Sequence, residues 1–171
     1  MKLSDLPRGS TVFVDANIFL YYLHGASSEC RAFVAACERG DFRPVSSAET
    51  LIEVAHRAML AEAVRKGLAT PKSVLRRLKE KPEILEHLSE YRLHVRRIQA
   101  LLTSLIPTTP ELLQRALDLG AGVHLLLRDS LVAAALEASA TRRLATADRD
   151  FLRVTDLEVF APSDIRIGSG T

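Results

Sequence analysis

The residues that could do chemistry in this chain are acids at unusual places. Asp15 lies within the run TVFVDAN, where four strand-forming residues, Thr11 to Val14, meet a carboxylate and Asn17 then opens an apolar helix. A charge at the mouth of a buried strand is costly unless something binds it. Asp148 follows a second strand-like run, RLAT, and Asp150 lies two residues on. Asp129 stands at the start of the helix DSLVAAALEASA, and Glu53 sits in ETLIEVAHRA among Leu51, Ile52, Val54 and Ala55 rather than on a polar face. Each has an ordinary structural role available. Asp129 can cap its helix in a favourable dipole, and Asp15 can form an Asx turn with Asn17 as the cap. Asp148 can be a turn acid, and Glu53 a partly exposed helix residue. Caps need not cluster, however. If the two strands are parallel, Asp15 and Asp148 leave the same sheet edge.

The elements that must position these acids alternate along the chain. Strand Thr11–Val14 is followed by a helix from Asn17 to His24, and a second helix, Glu29–Arg39, ends at Gly40. Phe42–Ser46 reads as a strand that Pro44 confines to a sheet edge or to its own first residues. A long helix follows from about Glu49 to Lys66. Thr70-Pro71 then predicts a short helix to Lys81, and Pro82 starts another, with Ile84, Leu88, Tyr91, Val95, Ile98 and Leu102 forming one apolar seam. Leu101–Ile106 contains a strand, Thr109-Pro110-Glu111 opens a helix to Leu119, and Gly120 and Gly122 mark a loop. Arg143–Thr146 and Glu158–Phe160 are the last strands. Strands separated by helices predict one α/β domain over residues 1–162, a three-layer α/β/α arrangement around a mainly parallel sheet. Residues 68–104 are an added helical hairpin, and residues 163–171 a flexible tail. Ligands of such sheets bind beyond the carboxyl ends of the strands.

Bulk properties narrow the partners. The 171 residues are 47% hydrophobic and 26% charged, the profile of a soluble globular chain. No run is long and apolar enough for a membrane span, and the start MKLSDLPRGS lacks a signal-peptide core, so a cytoplasmic location without membrane attachment is expected. Cys30 and Cys37 are roughly 10 Å apart along one helix, too far for a disulfide, and they read as reduced, buried thiols. The net charge is only +2, yet residues 65–97 carry ten Lys/Arg against four Glu. A basic segment beside an acidic remainder points to a polyanion held near an acidic, metal-binding centre, although a solvated helix face has the same composition. His56, His87, His94 and His124 show no metal-ligand spacing, and His24, after the aromatic pair of the first helix, reads as a surface residue rather than a catalytic one. A receiver-type phosphoacceptor would need a second acid beside Asp15 and a late lysine, but none follows Lys81. A phosphatase with an aspartyl nucleophile would need an acid where Asn17 stands. No glycine-rich dinucleotide fingerprint follows a strand.

The ordered set TVFVDANIFLYYL, ETLIEVAHRA, RDSLVAAALEA and LATADRDF resembles the PIN domain, and within it the VapC-type toxins of toxin–antitoxin pairs. The resemblance implies a Mg²⁺-dependent endoribonuclease, with Mn²⁺ as a substitute, an antitoxin partner and a homodimer. It assigns Asp15, Glu53, Asp129 and Asp148 to the acidic quartet, with Asp150 replacing or assisting Asp148. Asn17 and Thr146 match positions that support metal-bound water. Phosphate contacts by Lys and Arg dominate nucleic-acid affinity, so Arg76, Arg77, Lys79, Arg92, Arg96 and Arg97 are the candidate RNA contacts. With aromatic residues at 5% and no tryptophan, recognition by shape is expected over base stacking. An RNA-processing or structured-DNA nuclease outside any toxin pair, or an inactive PIN-like binding module, are the alternatives.

Overall fold

The structure is a computed structural model describing residues 1–165. Five parallel strands form one sheet: β1 (Thr11–Val14), β2 (Arg43–Ser47), β3 (Ser104–Ile106), β4 (Arg143–Ala145) and β5 (Glu158–Phe160). Their spatial order is β3-β2-β1-β4-β5. β1 pairs with β2 through Phe13–Val45 and with β4 through Phe13–Leu144. The chain therefore moves from β1 outward to β3, then crosses back to lay β4 on the other side of β1. That reversal makes the β1/β4 boundary the place where a crevice opens at the strands' carboxyl ends.

The reversal also decides which helices lie on which face, because parallel crossovers are right-handed. α1 (Ala16–Leu23), α2 (Ser28–Glu38), α3 (Ala48–Arg65) and α5 (Glu90–Leu101) share a core with Val12 and Val14. α6 (Pro110–Val123) and α7 (Leu127–Ala138) pack on the opposite face against Phe13, Val45, Leu144 and Val159. β1 buries both faces, which is why its side chains do not alternate. The layers are helix, sheet and helix, as expected.

Several boundaries differ from the sequence reading, each for a local reason. Asp15, not Asn17, is the N-cap of α1, its carboxylate accepting from the Ala16 amide. Pro44 agrees with the reading: β2 is flanked by β1 and β3, and the proline takes the allowed place near the strand's start, where the missing N–H costs little. α4 (Val74–Glu80) begins after a turn at Thr70-Pro71 rather than at it. Gly120 and Gly122 lie inside α6, not in a loop. Gly120 is needed there because a Cβ would come within 2.6 Å of the Ser130 hydroxyl on α7. Asp129 is in the first turn of α7, but the N-cap is Leu126.

The single apolar helix expected from Pro82 to Leu102 is broken into a 3-10 segment, Pro82–His87, and α5. The cause is Glu62 on α3. Its buried carboxylate accepts the Ser89, Glu90 and Tyr91 amides at 2.9–3.1 Å and the Lys66 ammonium at 2.7 Å. It thus satisfies the amides left open at the start of α5 from another helix. Ile84 and Leu88 join Val74, Leu78 and Ala63 in a separate small core, while Ile98 joins the main one. Ser163 and Asp164, assigned to the tail by sequence, bind the start of α2: Asp164 accepts from Ser27 Oγ and the Ser28 and Glu29 amides. The remainder of that tail, residues 166–171, lies outside the described residues.

Burial raises the Glu62 pKa, but Lys66 and the three amides outweigh it and hold the carboxyl at about 2. Its folded pKa is thus below the ordinary value, so its stabilisation is complete above about pH 4.5 and is lost as pH falls toward 2. Glu62→Gln is expected to cost about 2 kcal/mol in urea denaturation at pH 7, and the difference from wild type should shrink below pH 4. A difference constant down to pH 3 would assign the loss to packing rather than to charge.

Candidate active site

The β1/β4 boundary holds the carboxylates together through a hydrogen-bonded knot. Asp15 is 8% exposed, and its Oδ1 accepts from the Ala16 amide at 2.7 Å. Its Oδ2 accepts from the Thr146 hydroxyl at 2.7 Å and from Asn17 Nδ2 at 2.6 Å. Thr146 in turn accepts from Asn17 Nδ2 and from the Asp148 amide, and Asn17 Oδ1 accepts the Ala147 amide. Every member is supplied by the residues just after β1 or β4, so parallel pairing of the strands creates the knot. Asn17 and Thr146 thus contact Asp15 directly and fix its rotamer.

The other acids arrive from three directions. Asp148 follows β4 and accepts the Asp150 amide at 2.8 Å, which turns the chain into a 3-10 segment. Asp129 comes from the first turn of α7 and Glu53 from the second turn of α3. Asp129, Asp148 and Asp150 can each offer an oxygen within 4.8 Å of the others. Asp15, Glu49, Glu53, Asp129 and Asp148 line one open cleft of about 190 Å³, with Asn17, Arg57 and Arg128. That volume holds an ion with several waters but not a drug-sized organic ligand.

Electrostatics mark this cleft as short of positive charge. Burial, opposed by the Thr146 and Ala16 hydrogen bonds and helped by Glu53 and Asp148, pushes Asp15 up to about 6. Asp129 is raised by burial and then by the charges of Asp148 and Asp150. One carboxylate oxygen of Glu49 is buried without a hydrogen-bond partner. Oxygen donors in excess, one of them orphaned, are what a hard divalent cation would satisfy, so the residues fit such an ion.

Sequence reasoning passed over three residues of the cleft. Glu49 was read only as the start of the long helix, and neither Arg57 nor Arg128 was singled out. The signal was present: positions 49, 53 and 57 are spaced by four and share one stripe of α3. The basic candidates lie elsewhere. Arg76, Arg77 and Lys79 are on exposed α4, packed beside the far half of α3, and Arg76 pairs with Glu80. Arg92 stacks on Tyr91, Arg96 is exposed, and Arg97 lines an apolar groove with Tyr22 and Ile98.

The PIN domain family profile matches residues 12–157. The chain belongs to the PIN domain family, whose members are generally nucleases. The fold is shared with VapBC2 from Rickettsia felis bound to a promoter DNA fragment, at 14% identity and a TM-score of 0.56, covering 88% of this chain and 98% of that one. It is also shared with a toxin–antitoxin complex from Klebsiella pneumoniae, at 19% identity and a TM-score of 0.53, covering 91% and 99%. No curated protein sequence matches the chain. No single helix among the described residues is long and apolar enough to cross a membrane.

Neutralising one acid tests the charge imbalance. Two like charges near 4.8 Å from Asp129 cost about 1 kcal/mol each in a water-like dielectric, more than the about 0.5 kcal/mol an acid gains at a helix N-terminus. Metal-free Asp129→Asn is therefore expected to melt about 2–4 °C above wild type. Mn²⁺ should raise the melting temperature of wild type by more than that of the variant. A variant that melts lower and keeps the full Mn²⁺ shift would remove Asp129 from the site.

Proposed function

We propose that this protein is a divalent-metal-dependent endoribonuclease and the toxin of a toxin–antitoxin pair. The observation that carries the reading is the convergence of Asp15, Glu53, Asp129 and Asp148 on one cleft at the β1/β4 boundary. The toxin assignment draws support from the shared fold of the Rickettsia and Klebsiella complexes. An antitoxin protein, RNA and a second copy of the chain are the partners that follow from it.

A phosphodiester resists attack because its oxygens carry charge and its phosphorus is a poor electrophile. Mg²⁺, or Mn²⁺ in its place, would supply an acidified water and neutralise charge on the phosphate and the departing 3′ oxygen. The protein's part is placement. Asp15 and Asp129 would hold the ion directly, while Glu53 and Asp148 would bind its waters or a second ion, with Asp150 beside Asp148. Asn17 and Thr146 keep Asp15 in one orientation and hydrogen-bonded, which favours its ionised form against burial. The attacking water's oxygen bonds to phosphorus, the P–O3′ bond breaks, and a proton ends on the 3′ oxygen. Arg76, Arg77, Lys79, Arg92, Arg96 and Arg97 provide distributed phosphate attraction along the helical segment between α3 and β3.

The deciding experiment incubates purified protein with total RNA and Mn²⁺ and maps the cut ends. Wild type should cut at discrete positions, EDTA should stop it, and Asp15→Asn should lose on the order of 100-fold or more in rate. Equal cutting by Asp15→Asn would mean a contaminant or a misplaced site. Expression in a bacterial host should arrest growth for wild type and not for the variant.

A further inference from the structure

The arginines in the cleft have no place in the scheme above. Arg128, the residue before Asp129, reaches from the first turn of α7 across to α3, where its Nη2 lies 2.5 Å from Glu53 Oε2. Arg57, one turn beyond Glu53 on α3, puts Nη1 at 3.5 Å from the other oxygen, Oε1. Both oxygens of Glu53 are therefore held by cations. Asp15, Glu49, Asp129 and Asp148 form no ion pair among the described residues. The Arg128 side chain is 67% exposed against 23% for Glu53, and pairs with one partner so exposed are weak and readily exchanged.

We propose that Arg128 works in two states: it neutralises Glu53 when the cleft holds no ion, and binds the RNA phosphate when the ion displaces it. An ion that takes up Glu53, directly or through its waters, carries the same sign of charge as Arg128 and competes for the same carboxylate. The guanidinium it releases stays tethered at the rim of the cleft by the backbone of α7. Its planar fork of donors matches two phosphate oxygens, which lysine's single ammonium does not. Arg57 shares a helix with Glu53 at i,i+4 and remains beside it in either state. The inference rests on the nuclease reading for its second state but not for its first.

The two states predict effects of opposite sign, which a merely solvated arginine cannot produce. Removing a positive charge from beside Glu53 strengthens cation binding, and removing a phosphate donor weakens RNA binding. Arg128→Gln, Arg128→Lys and wild type would be compared by Mn²⁺ titration, reading free Mn²⁺ by electron paramagnetic resonance. Binding of a fluorescein-labelled mixed-sequence oligoribonucleotide in Ca²⁺ would be read by anisotropy. Arg39→Gln is the matched control: Arg39 is a similarly exposed arginine, paired with Asp41 at 2.8 Å, at the sheet's opposite edge.

Arg128→Gln should bind Mn²⁺ about 3- to 10-fold more tightly and the oligoribonucleotide at least about 5-fold more weakly. Arg128→Lys should keep the wild-type Mn²⁺ affinity while binding RNA more weakly. Arg39→Gln should change neither. Weaker Mn²⁺ binding by Arg128→Gln would overturn the proposal, since Arg128 would then be holding Glu53 in place for the ion. Unchanged or tighter RNA binding would overturn it too, leaving Arg128 a counter-charge alone. Wild type that binds Mn²⁺ and the oligoribonucleotide without cutting RNA would defeat the nuclease reading, while both Arg128 measurements would still decide this one.

Discussion

The structure depends on the parallel pairing of β1 with β4. It brings together the ends of two strands separated by more than 120 residues of chain, and it does so at the centre of the sheet. The Asp15–Thr146–Asn17 knot forms only because those ends share an edge. Once formed, it ties the first strand to the fourth by side chains as well as by backbone. Everything else at the cleft is arranged around a carboxylate that this knot has already oriented. A charge placed there by the fold has to be compensated, and the knot's hydroxyl and amide do so only in part, since Asp15 keeps a pKa near 6.

The helices meet the remaining demands from two faces of the sheet. α3 begins directly after β2, so its first two turns, carrying Glu49 and Glu53, project beyond the same carboxyl edge. α7 presents Arg128 and Asp129 in its first turn and buries Val132, Ala135 and Leu136 against the sheet. The close approach of α6 at Gly120 to Ser130 holds that turn at its depth. The cleft is therefore built from element ends, whose positions are set by cores farther back. This separates the site's surplus negative charge from the packing that supports it, so the acids can repel one another without loosening the core.

Glu62 and Asp164 show the same economy in structural roles. Each is a carboxylate that takes up open backbone amides at the start of another element, Glu62 for α5 and Asp164 for α2. Both have pKa values held near 2 because those amides and their cationic or hydroxyl neighbours outweigh burial. The contrast with Asp15 is informative. Asp15 also accepts from three donors, but burial outweighs them and Glu53 and Asp148 add repulsion, so its negative charge is left under-compensated and invites a cation.

Much of this was legible in the chain itself. Buried strands alternating with helices specified a parallel sheet in three layers, and Asp15 and Asp148 advertised themselves by following strands directly. Asp15, Asp129 and Asp148 stood out because they sit at the ends of elements, whereas Glu53, inside α3, entered the candidate quartet through the family resemblance. Other features were decided by tertiary structure alone. The break at Leu88–Ser89 was invisible because its cause, Glu62, lies 27 residues away, and the apolar seam runs through the break without interruption. Gly120 looked like a loop because its reason to be glycine is a hydroxyl on another helix. Arg128 and Glu49 gained a role only when α3 and α7 were set face to face across the cleft. Local sequence determined which elements form and which acids stand at their ends. Which charges meet was decided by the crossover that lays β4 beside β1, because electrostatic partners are chosen by distance in space and not along the chain.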